Sequence, residues 1–314
     1  MSENIVSSPN NTPYVVSADA AGLLERWTGA NGYGIPSQAY FDDLSVDLGA
    51  NLEETTGLDV EIVSEEEMRE GMDRLVRSSP YPVISLDRAY FDNGNPVISG
   101  YIDVTRAVKE NMDGQGNMAF VSAGALMPRP GFPTLKEQLE AFRSSEPSPI
   151  TLVDDVIFSG EGAVDLVKQL ESVGRPVAKI IAGIGIREGI AKLEDLGIEV
   201  ECVRTYTDVA DEVCQRDFLA GVPMSGRTVL GENGNSWSAP YFLPYGDPEG
   251  WASIPAERCR VFSRYCLQQS VDLWAEIEAV SGRQVAAAAI PRALRGANDQ
   301  GSVTILLRQH LDRV

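Results

Sequence analysis

The stretch that most constrains this chain is Ile150-Thr-Leu-Val-Asp154-Asp155-Val156-Ile157-Phe158-Ser159-Gly160-Glu161-Gly162. A short apolar run ends in two adjacent acids, and after three intervening residues a Ser-Gly-Glu-Gly turn follows. So short and β-branched a run reads as a strand buried on both faces. Ala163, Val164, Val167 and Leu170 then recur at helical spacing, with Gly174 placed to close the helix. Strand, acidic pair, small-residue turn and helix start is how an α/β protein presents polar groups at the carboxyl end of a parallel sheet. The turn is where a phosphate would sit, because backbone N–H groups and the positive helix end converge there.

The pattern continues on the C-terminal side. Pro176 to Ala182 reads as a buried strand, and Ile190, Leu193 and Leu196 mark a helix closed by Gly197. Ile198 to Val203 alternates as a strand with one wet face. Strand and helix alternating at these spacings give right-handed βαβ units, so the expected fold class is α/β with a mainly parallel central sheet flanked by helices. Upstream, Ala18 to Trp27 reads as a short helix, Gly29 to Pro36 as loop and Leu58 to Val63 as a strand. Ser64 and Glu67 make a capping box for a helix over 65–77, and Thr134 and Glu137 make another. The runs at 82–91 and 96–104 are expected to pair as a hairpin across Asp92-Asn-Gly-Asn, with a third run at 118–122. From Gln215 to Gly250 long loops with aromatic residues are expected, then a helix over 256–281 and a terminal strand over 302–307.

Composition narrows the function. The chain has 314 residues, enough for a full core, and a formal charge of −20. So acidic a chain is unsuited to neutralising nucleic-acid phosphates, so no nucleic-acid partner is expected. No apolar stretch approaches the roughly 20 residues needed to span a bilayer, and the first ten residues have no secretory pattern. A cytoplasmic location without membrane contact is the expectation. The four cysteines form no C-x-x-C pair and only one histidine exists, which disfavours zinc. Buried, reduced thiols are expected. That histidine, His310, reads as a surface residue.

The residues 150–162 resemble the phosphoribosyl-pyrophosphate (PRPP) motif of type I phosphoribosyltransferases, in which a buried strand, two acids and a short spacer lead into Thr-Gly-Gly-Thr or a relative of it. Here Ser159 stands for the first Thr, Gly160 is kept, Glu161 occupies a position where a small or basic residue is common, and Gly162 replaces the second Thr. The resemblance implies that Asp154 and Asp155 hold the ribose hydroxyls, directly or through water on Mg²⁺, and that Val156, Ile157, Phe158, Ser159, Gly160, Glu161 and Gly162 form the 5′-phosphate loop. It implies PRPP or a ribose-phosphate nucleotide as ligand, Mg²⁺ as cofactor and a small nitrogenous acceptor, and it leaves a homodimer open. Enzymes of the family acting on 6-oxopurines carry an acid where this chain has Phe158, which argues against that acceptor class. By the same resemblance, residues 81–214 would be the α/β core and 215–314 a C-terminal hood. Residues 14–80 would be an N-terminal addition behind a loose tail at 1–13.

Other candidates are less specific. Arg88, after the 82–87 run, is a candidate for the pyrophosphate element, with Arg106 and Arg129 as rivals. Arg216, Asp217, Phe218 and Arg227 are candidates for contacts to the acceptor. Each arginine singly is more often a surface residue, and an aromatic more often packs in a core. Gly183-Ile-Gly-Ile-Arg-Glu-Gly189 lacks the dinucleotide-binding spacing. Three readings follow: a PRPP-dependent transferase, a non-catalytic PRPP or nucleotide sensor, and an ordinary α/β protein whose acidic pair is coincidental.

Overall fold

Strand β10 is built as its sequence requires. Ile150, Leu152 and Val153 are buried, and polarity enters only at Asp154 and Asp155 near its carboxyl end. The computed structural model describes residues 5–6, 12–92, 94–112, 118–122, 126–231, 236–295 and 301–314. In chain order these give β1 (Ile5–Val6), β2 (Tyr14–Ser17), α1 (Ala20–Asn31), α2 (Gln38–Thr56), β3 (Val60–Val63), α3 (Glu65–Arg77), β4 (Val83–Ser85) and β5 (Ile98–Tyr101). Next come β6 (Val104–Thr105), β7 (Ala107–Met112), β8 (Met118–Ser122), β9 (Met127–Pro128), α4 (Leu135–Ala141), β10 (Ile150–Ile157), α5 (Glu161–Ser172) and β11 (Val177–Ile186). The last are α6 (Arg187–Glu194), β12 (Glu199–Tyr206), β13 (Asp211–Cys214), β14 (Arg227–Leu230), β15 (Ser236–Ala239), α7 (Pro248–Ala252), α8 (Cys259–Ser281) and α9 (Val303–Leu311).

These elements form two compact units. One comprises Met1–Thr12, Ser64–Thr105 and Ala125–Val209; the other comprises Pro13–Val63, Arg106–Gly124 and Ala210–Val314. The chain thus passes between units several times, where the sequence suggested consecutive blocks at 14–80, 81–214 and 215–314. Helix α3, expected in an N-terminal addition, belongs with the sheet that carries the acidic pair.

The first unit is organised on a six-stranded sheet of order β1-β12-β11-β10-β4-β5, in which every pairing is parallel. The expected α/β fold is what the chain adopts. Its core joins Ile84, Leu152, Ile180 and Ala182 of the strands to Leu166 and Leu170 of α5 and Leu193 of α6. Helix α3 approaches closely because of glycine: a Cβ on Gly183 would lie 2.9 Å from the Asp155 carbonyl oxygen and overlap the Met68 side chain of α3. The glycines at 183 and 189 are therefore packing residues. Ser64 caps α3 by accepting the Glu67 N–H, but the Glu67 carboxylate forks Arg204 of β12 at 2.6 and 2.7 Å. At α4 the capping box is complete.

Two sequence expectations in this unit are corrected. β4 and β5 run parallel, Val83 against Ile98, and make no hairpin; a hairpin needs a tight turn, and the connection over 86–97 is far longer than one. Part of the expected loose tail is ordered, since Ile5 and Val6 pair with Thr205 and Tyr206 at the sheet edge. The remainder of that tail, apart from Thr12 and Pro13, and Asn93 of the expected turn lie outside the described residues.

In the second unit, β13-β2-β3 form a parallel sheet and β15-β14-β7-β8 a mixed one. Tyr14, Leu24, Leu52, Phe262 and Trp274 share its main core. Trp274 is fully buried, and its indole N–H donates to the Ala220 carbonyl at 2.7 Å. The stretch 215–250, expected as loop, contains β14, β15 and part of α7. The terminal segment is helix α9, not a strand. Val303, Leu307 and His310 are buried at helical spacing, and Glu278 of α8 receives the hydroxyls of Ser302 at 2.9 Å and Thr304 at 3.0 Å. Those two bonds fix the helix start where β-branched residues alone suggested a strand. The four cysteines are free thiols, and among the described residues no helix is long and apolar enough to cross a membrane.

His310 is buried, correcting the surface expectation, and its Nδ1 lies 2.6 Å from the Tyr245 hydroxyl. Burial pushes its pKa below the ordinary 6.5, with Arg313 adding to the effect. A group depressed in the fold takes up its proton first in the unfolded chain, so stability falls as pH drops below 6.5. Thermal unfolding followed from neutral pH downward is expected to show a shallower decline for His310→Gln than for the native chain; parallel declines would contradict the assignment.

Candidate functional site

Counting only the five long-range strands of the first unit in chain order, β4, β5, β10, β11 and β12, their spatial order is second, first, third, fourth, fifth. The direction of winding reverses between β4 and β10. Ligands of open α/β sheets bind at such a switch point, outside the carboxyl ends of the strands. The β4–β10 ladder pairs Ser85 with Val153, and the Leu86 N–H donates to the Val153 carbonyl at 2.8 Å. Beyond that pair, Asp87 follows Leu86 on one strand end, and Asp154 and Asp155 follow Val153 on the other.

Asp87 is buried, and its carboxylate accepts the N–H groups of Ala89 at 2.7 Å and Tyr90 at 2.9 Å. The Ser85 hydroxyl donates to the Asp87 carbonyl at 2.8 Å, tightening the same turn. Asp154 and Asp155 are half-buried. Burial raises the Asp154 pKa well above the ordinary 3.8; the charges of Asp155 and Asp87 and a carboxyl–carboxyl hydrogen bond with Asp155 raise it further. The Asp155 N–H, 3.0 Å from Asp154 Oδ1, pulls the other way. Such a pair resists holding two full charges. It favours a ligand that brings hydroxyl donors or positive charge.

The loop beyond the pair is held by its glycines. Gly160 is the N-cap of α5 with φ of 73°, in the left-handed region. A Cβ there would lie 2.9 Å from the Gly189 carbonyl oxygen, and a Cβ on Gly189 would lie 3.0 Å from Gly160 N and overlap the Phe158 carbonyl. The turn 158–160 is thus seated against the first turn of α6. Phe158 and Ser159 are half-buried, Gly160 is buried, and Glu161 and Gly162 are exposed. Glu161, in the first turn of α5, suits the helix dipole in the absence of ligand. Sequence reasoning missed Lys192 of α6, whose ammonium donates to the Ser159 carbonyl at 3.0 Å.

The remaining candidates divide between the two units. Arg88 follows β4 at the switch point, as expected of a pyrophosphate residue, but its guanidinium forks Asp103 at 2.7 and 2.6 Å and lies over the Tyr101 ring at 4.0 Å. Arg129 donates its backbone N–H to the Asp103 carbonyl at 3.0 Å. In the second unit, Arg106 and Arg227 flank the β7–β14 pairing, where the Thr228 N–H donates to the Arg106 carbonyl at 3.3 Å. Arg227 lies 4.6 Å from the Trp251 ring. Burial raises the pKa of nearby Asp211 and pushes Tyr241 up to about 12, while both arginines oppose the shift at each group. Arg216 pairs with buried Asp19, and Asp217 accepts the Gly226 N–H at 2.7 Å. Phe218 packs edge-on against Phe262 in the core. The arginines of 216 and 227 therefore share a unit with Arg106, whereas Arg88 and Arg129 share the unit of the acidic pair.

Among the described residues no group of three or more His, Cys, Asp or Glu side chains is arranged to hold a metal ion. Asp154 and Asp155 together offer two carboxylates. That donor set fits Mg²⁺, which keeps several waters and takes further ligands from substrate phosphates.

No protein-family model matches the sequence, and no curated protein sequence is similar to it. Among solved structures the chain is similar to phosphoribosyltransferases. The adenine phosphoribosyltransferase of Thermoanaerobacter pseudethanolicus matches at 17% identity over 45% of this chain and 80% of its own, with a TM-score of 0.29. The orotate phosphoribosyltransferase of Mycobacterium tuberculosis matches at 12% identity over 44% of this chain and 68% of its own, with a TM-score of 0.28. The UMP synthase of Leishmania donovani matches at 14% identity over 46% of this chain, with a TM-score of 0.28, and the matched part spans only 27% of that enzyme.

The electrostatics of the acidic pair can be tested directly. Because the Asp154 pKa is raised in the fold, ionising it costs stability as pH rises from the ordinary 3.8 through the folded value. Asp154→Asn is expected to unfold at a higher temperature than the native chain at neutral pH, with the gap closing toward pH ~4. A variant less stable than the native chain at neutral pH would contradict this.

Proposed function

We propose that this protein is a PRPP-dependent phosphoribosyltransferase, transferring ribose 5-phosphate to a nitrogenous acceptor with release of pyrophosphate. The observation that carries the reading is the placement of Asp154, Asp155 and the Gly160 turn at the switch point of a parallel sheet, beside the end of β4. The two carboxyl groups suit the 2′- and 3′-hydroxyls of a ribose, which supply the donors a crowded acidic pair needs. The turn at 158–162 and the start of α5 supply backbone N–H groups for a 5′-phosphate.

In the reaction, the bond between the anomeric carbon and the pyrophosphate oxygen breaks as the acceptor nitrogen bonds to that carbon, and the acceptor nitrogen loses its proton. Positive charge develops on the ribose ring. Asp154 and Asp155 would stabilise that charge and hold the ring in place. Mg²⁺, when bound, would neutralise charge on the departing pyrophosphate.

A second reading, a PRPP or nucleotide sensor without turnover, is favoured by one observation. The basic residue best placed after β4, Arg88, is committed to Asp103 by a two-pronged ion pair.

Calorimetry with PRPP and Mg²⁺ tests the pocket, and pyrophosphate release across a panel of nitrogenous acceptors separates transferase from sensor. Replacing Asp154 and Asp155 together by Asn is expected to weaken PRPP binding by at least about 100-fold, near 2.7 kcal/mol. Absence of PRPP binding by the native chain would overturn both readings, and binding without pyrophosphate release would leave the sensor.

A further inference from the structure

The turn at 158–162 carries an acid of its own, Glu161, and a cation is bonded to the backbone of the same turn. Lys192 lies one turn beyond Gly189 on α6, the helix against which the 158–160 turn is seated. Its Nζ donates to the Ser159 carbonyl at 3.0 Å and to Glu188 Oε1 at 2.8 Å. The bond to Glu188 raises the lysine pKa, and the nearby charge of Glu161 adds to it. Lys192 therefore stays protonated while tied to the loop backbone on one side and to the Glu188 carboxylate on the other, with the Glu161 charge nearby.

A phosphate dianion approaching the start of α5 would meet backbone N–H groups and also the Glu161 carboxylate in the same turn. Unopposed, that carboxylate would repel the ligand. We infer that Lys192 is a positioning residue for the phosphate loop: its bond to the Ser159 carbonyl fixes the turn, and its charge offsets Glu161. An acidic turn can then accept a phosphate ester. This rests on residues 158–162 forming the phosphate cradle described above. Nothing in the local sequence pointed to it, because Lys192 meets Ser159 only through the packing of α6 on the turn.

The test is calorimetry with ribose 5-phosphate on the native chain, Lys192→Gln, Lys192→Arg, Glu161→Gln and the double variant Lys192→Gln/Glu161→Gln. Lys192→Gln is expected to weaken binding at least about tenfold. Lys192→Arg, which keeps the charge and a donor, should stay within about threefold of the native chain, and so should the double variant, because removing Glu161 removes the charge that Lys192 balances. Native-like binding by Lys192→Gln would overturn the inference and leave the cradle intact. A double variant as weak as Lys192→Gln alone would overturn the charge-balancing role. Failure of the native chain to bind ribose 5-phosphate would remove the cradle itself, and this inference with it.

Discussion

Parallel pairing of β10 with β4 brings Asp87, Asp154 and Asp155 to one end of the same sheet, and much of the site follows from that crowding. Asp87 is satisfied locally by the amides of the turn it caps. Asp154 and Asp155 are not spread apart in the same way. They share a half-buried position, and Asp154 resists ionisation there. A chain that only needed a helix cap would place one such group near water. Two, with a third nearby, favour a partner that brings hydroxyl donors or positive charge.

The second constraint is steric. The turn after β10 reaches its position because residues 160 and 189 both lack side chains, so that the loop backbone and the first turn of α6 nearly touch. The glycines at 183 and 189 were legible in the sequence only as an imperfect nucleotide-binding pattern. Their roles are instead to admit Met68 of α3 at one place and the 158–160 turn at another. The position of the loop after the acidic pair and core packing thus depend on the same residues, since a shift of α6 would displace the turn that rests on it.

Where signals were local, the sequence was a good guide. The buried run of β10, the caps of α3 and α4, and the strand–helix alternation through β12 all appear close to where their residue patterns place them. Long-range partners were not legible. Nothing near Val83 announces that β5 will run parallel to it, and nothing near Ser302 announces Glu278. For the site, the acids and the turn were legible because they are contiguous. Asp87 had a weaker version of the same signal, an apolar run ending in an acid, while Lys192 and the Asp103 partner of Arg88 had none.

On the proposed function, the end of β10 and the start of α5 form one ribose-phosphate pocket. A crystal structure of the protein with ribose 5-phosphate tests it most directly. The phosphate oxygens are expected within about 3 Å of the backbone amides around Gly160, and the ribose hydroxyls at similar distances from Asp154 and Asp155. A phosphate bound elsewhere, with the acidic pair facing no part of the sugar, would contradict it.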